Sequence, residues 1–324
     1  MESGIRDGRY FRNAESKKHT VGDLLNRFIT QWLPKYPQRE AKQTALLNWW
    51  RERSGHLLLV DLTPAVIAEG RDHLRSEITV RGQIRSPSTV NRYLSALGKA
   101  LTVAVKEWGW LETSPVSKVT KPPEARGRER FLSGAEKDRL LHECRQSRNA
   151  NLLPMVALAL ITGMRFGELA ELHWRDIDLG QRTITLVLTK NGDRRIIPLT
   201  ADAEEILKAC PSFGNGQDEL IFQSRRNSQI RRRVSIRGAF EAAVRRSGIK
   251  DFRFHDLRHS AASHMAMSGA TQGELMAILG HKSPAMTRRY AHYSQSHLLK
   301  VLERTEMAYG IKKFCCNDKE IQDV

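Results

Sequence analysis

Apolar residues recur at helical spacing through the first third of the chain. Val21, Leu24, Leu25, Phe28, Ile29 and Trp32 share one face behind a Thr20 cap, and Pro34 closes the segment. Ala41, Ala45, Leu46, Trp49 and Trp50 form a second stripe. Thr63-Pro64 and Ser86-Pro87 each join a capping hydroxyl to a first-turn proline. They open one helix through Val66, Ile67 and Leu74, and a longer one through Val90, Leu94, Leu97, Leu101, Val105 and Trp108. The pattern predicts a small helical bundle over 19–113, its tryptophans serving the core.

From Ser114 to Arg130 the periodicity breaks. Pro115, Pro122, Pro123 and Gly127 oppose a regular element, and Lys118, Lys121, Arg126, Arg128 and Arg130 make the stretch basic. It reads as an extended linker over 114–130. A second domain is then expected over 131–310. Ser133 with Glu136 forms a capping box, and Leu152 to Ile161 is apolar on every side, as in a buried central helix. Thr183–Leu188 and Arg194–Leu199 read as paired strands around the Asn191-Gly192 turn. Helical segments follow, including one opened by Ser283-Pro284 that carries Tyr290 about two turns in, and a last one near 295–308. The fold class is mainly α with a small antiparallel sheet, in two domains. Residues 1–18 form a polar arm and 311–324 a polar tail.

Charge then narrows the class. The 324 residues carry 53 Lys+Arg against 36 Asp+Glu, a net +17. Such an excess favours a polyanionic partner, because each phosphate neutralised releases condensed counterions. The DNA-facing candidates are Arg81, Arg85, Arg92 and Lys99 on the first bundle, Lys118 and Lys121 in the linker, and Arg231, Arg232 and Arg233 in the densest basic cluster. The four cysteines show neither metal spacing nor a disulfide framework. No apolar run approaches the ~20 residues of a membrane span, and the first 18 residues lack a signal peptide's apolar core. These features point to a cytoplasmic, nucleoid-associated protein.

The chemistry concentrates in His255-Asp-Leu-Arg258-His259, Leu279-Gly280-His281 and Tyr290, nine residues after His281. Arg165 follows the buried helix in Thr162-Gly-Met-Arg-Phe-Gly-Glu-Leu169, and Lys190 enters the hairpin turn. Attack on a phosphodiester builds charge on the nonbridging oxygens and on the leaving oxygen. Arg165 and Arg258 offer planar forks for the former, and Lys190 a proton for the latter. The Tyr290 phenol needs help to lose its proton, which His255 could accept or relay, while His281 donates to the phosphate. Glu168 could orient Arg165 or a histidine, or simply pair with Arg165. Tyr293 is an alternative nucleophile, almost one helical turn on. No metal and no other cofactor are called for.

The order Arg165, Glu168, Lys190, His255-x-x-Arg258, His281 and Tyr290 resembles the tyrosine recombinases, the phage integrase family. Each motif is moderately specific, and the ordered set is highly so; the resemblance extends over about 19–310. It implies a core-binding domain and a catalytic domain that clamp DNA, with Tyr290 as nucleophile and Arg165, Lys190, His255, Arg258 and His281 activating the phosphate, supported by Glu168. It further implies a double-stranded core site as target and a homotetramer exchanging strands through a Holliday junction, with room for accessory bending or directionality proteins. The arm-binding domain of many phage integrases does not fit in 1–18, so the chain either recombines simple core sites or is truncated. Three rivals share parts of the pattern: a type I topoisomerase, a DNA-binding regulator, and a metal nuclease using His255, His259, His264 and His281.

Overall fold

The computed structural model describes residues 15–80, 82–125, 130–188, 193–224, 234–288, 290 and 295–309. The chain divides into two units, Met1–Gly127 and Arg128–Val324. The first contains α1 (Val21–Arg27), α2 (Pro37–Ser54), α3 (Pro64–Ser76) and α4 (Pro87–Lys106). Thr20, Thr63 and Ser86 accept first-turn N–H groups as their sequence context predicts. Beyond α1 the chain continues through a π turn, Phe28–Trp32, and a 3₁₀ turn, Leu33–Lys35. Leu24, Leu25, Phe28, Trp50, Leu94 and Leu97 are fully buried, and the Trp50 indole donates to the Tyr93 carbonyl at 3.1 Å. Burial of each such side chain contributes about 1.5–3 kcal/mol.

The stretch read as an extended linker makes contacts with the bundle as far as Glu124. Pro115–Lys118 forms a 3₁₀ turn and Val119 joins the bundle core. Arg71 donates to the Thr120 carbonyl at 2.8 Å, and buried Asn91 donates to the Pro122 carbonyl at 3.0 Å and to Glu124 at 2.7 Å. Prolines exclude a regular ladder, but their carbonyls still accept hydrogen bonds.

The second unit is mainly helical with one three-stranded antiparallel sheet. Its elements are α5 (Gly134–Arg145), α6 (Leu152–Thr162), α7 (Phe166–Ala170), β1 (Ile177–Asp178), β2 (Thr183–Leu188) and β3 (Asp193–Pro198). They continue with α8 (Ala201–Lys208), α9 (Arg237–Arg246), α10 (Asp256–Met267), α11 (Gln272–Leu279), α12 (Pro284–Thr287) and α13 (Gln295–Tyr309). Helix α6 is the centre, with α5, α8 and α10 packed on it. Register in the hairpin runs from Thr183↔Pro198 to Leu188↔Asp193, and α11 packs on β3. No described helix is long and apolar enough to cross a membrane.

The capping box at the start of α5 gives a pH-dependent anchor. Glu136 accepts from the Ser133 N–H at 3.0 Å and from both terminal nitrogens of Arg130. Those bonds, Arg130's first, hold its carboxyl down at about 2. A depressed carboxylate stabilises above its unfolded value and loses that contribution as pH falls through its folded one. Glu136→Gln is therefore expected to lower stability at pH 7, with the gap to wild type closing as pH falls toward 2, read by urea unfolding at each pH.

Candidate active site

Two helix C-termini are drawn together by one guanidinium. Helix α6 ends at Gly163 (φ +64°), where a Cβ would lie 2.4 Å from a Leu279 methyl carbon. Helix α11 ends at Gly280 (φ +65°), where a Cβ would lie 2.6 Å from Arg195 Nη1. A side chain at either position would be strained in the backbone and would clash. The carbonyls exposed at these ends are held by arginine. Arg258, on α10 and buried, donates to the Gly163 carbonyl at 2.7 Å and to the Leu279 carbonyl. Arg195, on β3 and 5% exposed, donates to the same Leu279 carbonyl. Unsatisfied C-terminal carbonyls carry negative partial charge, so cations suit them.

Glu168 ties the third arginine to this cluster. Its Oε2 accepts from the Arg165 N–H and from Arg195 Nη2, each at 2.8 Å; its Oε1 accepts from Arg165 Nη1 at 2.7 Å. Burial pushes the Glu168 carboxyl up, but the Arg165 N–H, the Arg195 charge and the Arg165 side chain together hold it below the usual carboxylate range. Burial and then the neighbouring Arg165 charge push Arg258 down to about 10, opposed by Glu168 and Tyr290. Three guanidiniums around one carboxylate leave an uncompensated positive charge. Arg165 is the most exposed of the three and stands at the start of α7.

Tyr290 is 4% exposed and packs among Ala262, Ala266, Leu275 and Leu279. Its hydroxyl shares a 2.6 Å hydrogen bond with His259 Nδ1. His259 follows Arg258 on α10, and the His255 ring meets it edge-on with centroids 5.3 Å apart. His281 Nδ1 bonds the Thr287 hydroxyl at 2.8 Å, which fixes its ring. His264 Nε2 bonds the Leu132 carbonyl at 3.0 Å. The α-helical part of α12 ends at Thr287, and Arg288 and Tyr290 are in 3₁₀ geometry, so Tyr290 lies just past the α-helix. Among the described residues no three His, Cys, Asp or Glu side chains gather as a metal site.

The structure thus brings Arg165, Glu168, Arg258 and Tyr290 into one neighbourhood, with His255 and His281 on the adjoining helix ends. Sequence reasoning missed Arg195, and it named His259 in the motif and as a rival metal ligand without giving it a part in the tyrosine chemistry. Both left a signal: Arg195 alternates onto the buried face of β3 with Ile197, and His259 lies four residues from His255 on one helical face. Lys190, Arg81, Arg231, Arg232, Arg233 and Tyr293 lie outside the described residues. Of the remaining DNA-facing candidates, Arg92, Lys118 and Lys121 are exposed. Arg85 pairs with Glu77 and is 14% exposed, and Lys99 lies over the Trp32 ring at 4.7 Å. Those two cations already have intramolecular partners.

The second unit is thus mainly helical and gathers three guanidiniums near a covered tyrosine. The model described as "Phage integrase family" matches residues 130–297, and the chain belongs to that family, the tyrosine recombinases. The chain is 35% identical over 245 residues to the shufflon-specific DNA recombinase of Escherichia coli, covering 75% of this chain and 61% of that protein's length. It is 33% identical over 306 residues to a putative integrase of Pseudomonas phage Pf1, covering 91% and 83% respectively. The fold matches that of a lambda integrase tetramer bound to a Holliday junction (TM-score 0.63, 23% identity, 82% of this chain and 78% of that one).

Proposed function

We propose that the chain is a site-specific DNA recombinase that cleaves and rejoins strands through a 3′-phosphotyrosyl bond at Tyr290, without metal or ATP. The observation that carries this reading is the cluster of Arg165, Arg195 and Arg258 around the single carboxylate of Glu168, with Tyr290 close enough to act on the Arg258 charge. In this reading Arg165 and Arg258 hold the nonbridging oxygens of the scissile phosphate and stabilise the charge that grows there. Glu168 and Arg195 position Arg165. Lys190 protonates the leaving 5′-oxygen, and His255 and His281 line the phosphate. The covalent ester conserves the bond energy, so the freed 5′-hydroxyl of a second duplex can reverse the step. Four protomers on two duplexes would carry the exchange through a Holliday junction, the assembly named for the lambda relative. Helical bundle 19–113 and the catalytic part 131–310 would act as two DNA-binding domains, with Arg92, Lys118 and Lys121 on the backbone.

The experiment uses a duplex that the protein selects from a random-sequence library, nicked beside the scissile position so that cleavage is trapped. Incubation without divalent metal is expected to give a protein–DNA band that survives denaturation and is destroyed by protease. Tight binding with no such band would instead favour a DNA-binding regulator. A band with supercoil relaxation but no exchange between sites would favour a topoisomerase.

A further inference from the structure

We infer that His259 accepts the Tyr290 proton as the phenol attacks phosphorus, and is thus a catalytic residue of the cleavage step; this rests on the recombinase reading above. Its Nδ1 is 2.6 Å from the phenol oxygen, within the reach that proton transfer requires. The phenol is 4% exposed among Ala262, Ala266, Leu275 and Leu279, so bulk water is a poor acceptor for its proton and a bare phenolate would be costly there. His259 is itself held: it sits within α10, one residue after the buried Arg258 whose guanidinium bonds two helix ends. The proton acceptor and the phosphate-binding guanidinium therefore move as one rigid piece. His255, the histidine that the motif offers as base, stands at the N-cap position of the same helix, is exposed, and meets the His259 ring edge-on. It is placed to orient that ring and to face the phosphate.

The balance is simple. With the ring proton of His259 on Nε2, Nδ1 accepts the hydrogen bond. The Tyr290 oxygen forms the bond to phosphorus as its proton passes to Nδ1, the bond from phosphorus to the 5′-oxygen breaks, and Lys190 protonates that oxygen. In rejoining, the imidazolium of His259 returns the proton to the departing phenol.

Single-turnover cleavage of the nicked duplex tests the inference with wild type and His259→Asn. The asparagine keeps a polar group near the Nδ1 position but is no base. It is expected to slow adduct formation by about 10²–10⁴-fold while leaving DNA binding and thermal unfolding near wild type. A substrate whose scissile 5′-oxygen is replaced by sulfur needs no proton on its leaving group. It should rescue Lys190→Ala and leave His259→Asn slow, because the His259 defect lies in the attack. A merely structural hydrogen bond predicts the opposite: His259→Asn cleaving within a few-fold of wild type overturns the inference, as does rescue by the sulfur substrate. His259→Gln takes its place if the asparagine chain does not fold. A wild-type chain that forms no adduct would instead overturn the recombinase reading itself.

Discussion

Tyr290→Phe is expected to abolish the covalent protein–DNA band while DNA binding stays within about twofold, because phosphate contacts rather than the phenol supply affinity. The structure makes this substitution mild for the fold. The ring keeps its packing against Ala262, Ala266, Leu275 and Leu279, and the hydroxyl gives up its hydrogen bond with His259. Losing one such bond costs about 1 kcal/mol. A chain that still melts close to wild type yet forms no adduct has lost its nucleophile and little else. Tyr293→Phe is the control, and it should retain the adduct. An adduct that survives Tyr290→Phe and disappears with Tyr293→Phe would move the nucleophile by almost one helical turn. The measurements are a denaturing gel, a gel shift and a melting curve on the same preparations.

Local chemistry was legible in the sequence wherever a cap, a turn or a stripe decides the outcome within a few residues. Thr20, Thr63, Ser86 and Ser133 all accept first-turn N–H groups, and the buried run from Leu152 becomes the central helix α6. What escaped depends on partners far along the chain. Arg195 reads as one of two polar residues entering a strand, and its burial is decided by the Leu279 carbonyl, 84 residues away. The packing of 115–125 is decided by Arg71 and Asn91, which periodicity in the proline-rich stretch itself cannot register. The α-helix expected to carry Tyr290 ends at Thr287, and Tyr290 itself is in 3₁₀ geometry. Its Ser283 cap and first-turn proline mark where a helix begins and say nothing of its length. His259 was visible as a member of the His255 face. Its proximity to Tyr290, however, depends on how the chain returns after α11 and α12.

The arginine cluster should also be the point where the second unit is easiest to break. Glu168→Ala is expected to cost about 3–5 kcal/mol, a large share of the ~5–15 kcal/mol that holds a typical domain together. Among the described residues, Glu168 is the one carboxylate hydrogen-bonded to both Arg165 and Arg195. Without it the Arg195 guanidinium, 5% exposed, keeps its bond to the Leu279 carbonyl but loses its counter-charge, and its Nε has no hydrogen-bond partner among the described residues. The Arg165 N–H at the start of α7 also loses its acceptor. Urea unfolding at pH 7 measures the loss. The double variant Glu168→Ala/Arg195→Met should recover much of it, since a buried apolar chain of similar length replaces a stranded cation. The pH dependence follows from the same bonds. Because the folded carboxyl titrates below its unfolded value, its contribution is complete above the ordinary carboxylate range and is lost as pH falls through the folded value. The stabilities of wild type and Glu168→Ala should therefore converge in acid. A cost below about 1 kcal/mol at pH 7, the range of an exposed ion pair, would mean that water screens the cluster, and the rigid placement of Arg165 would need another cause.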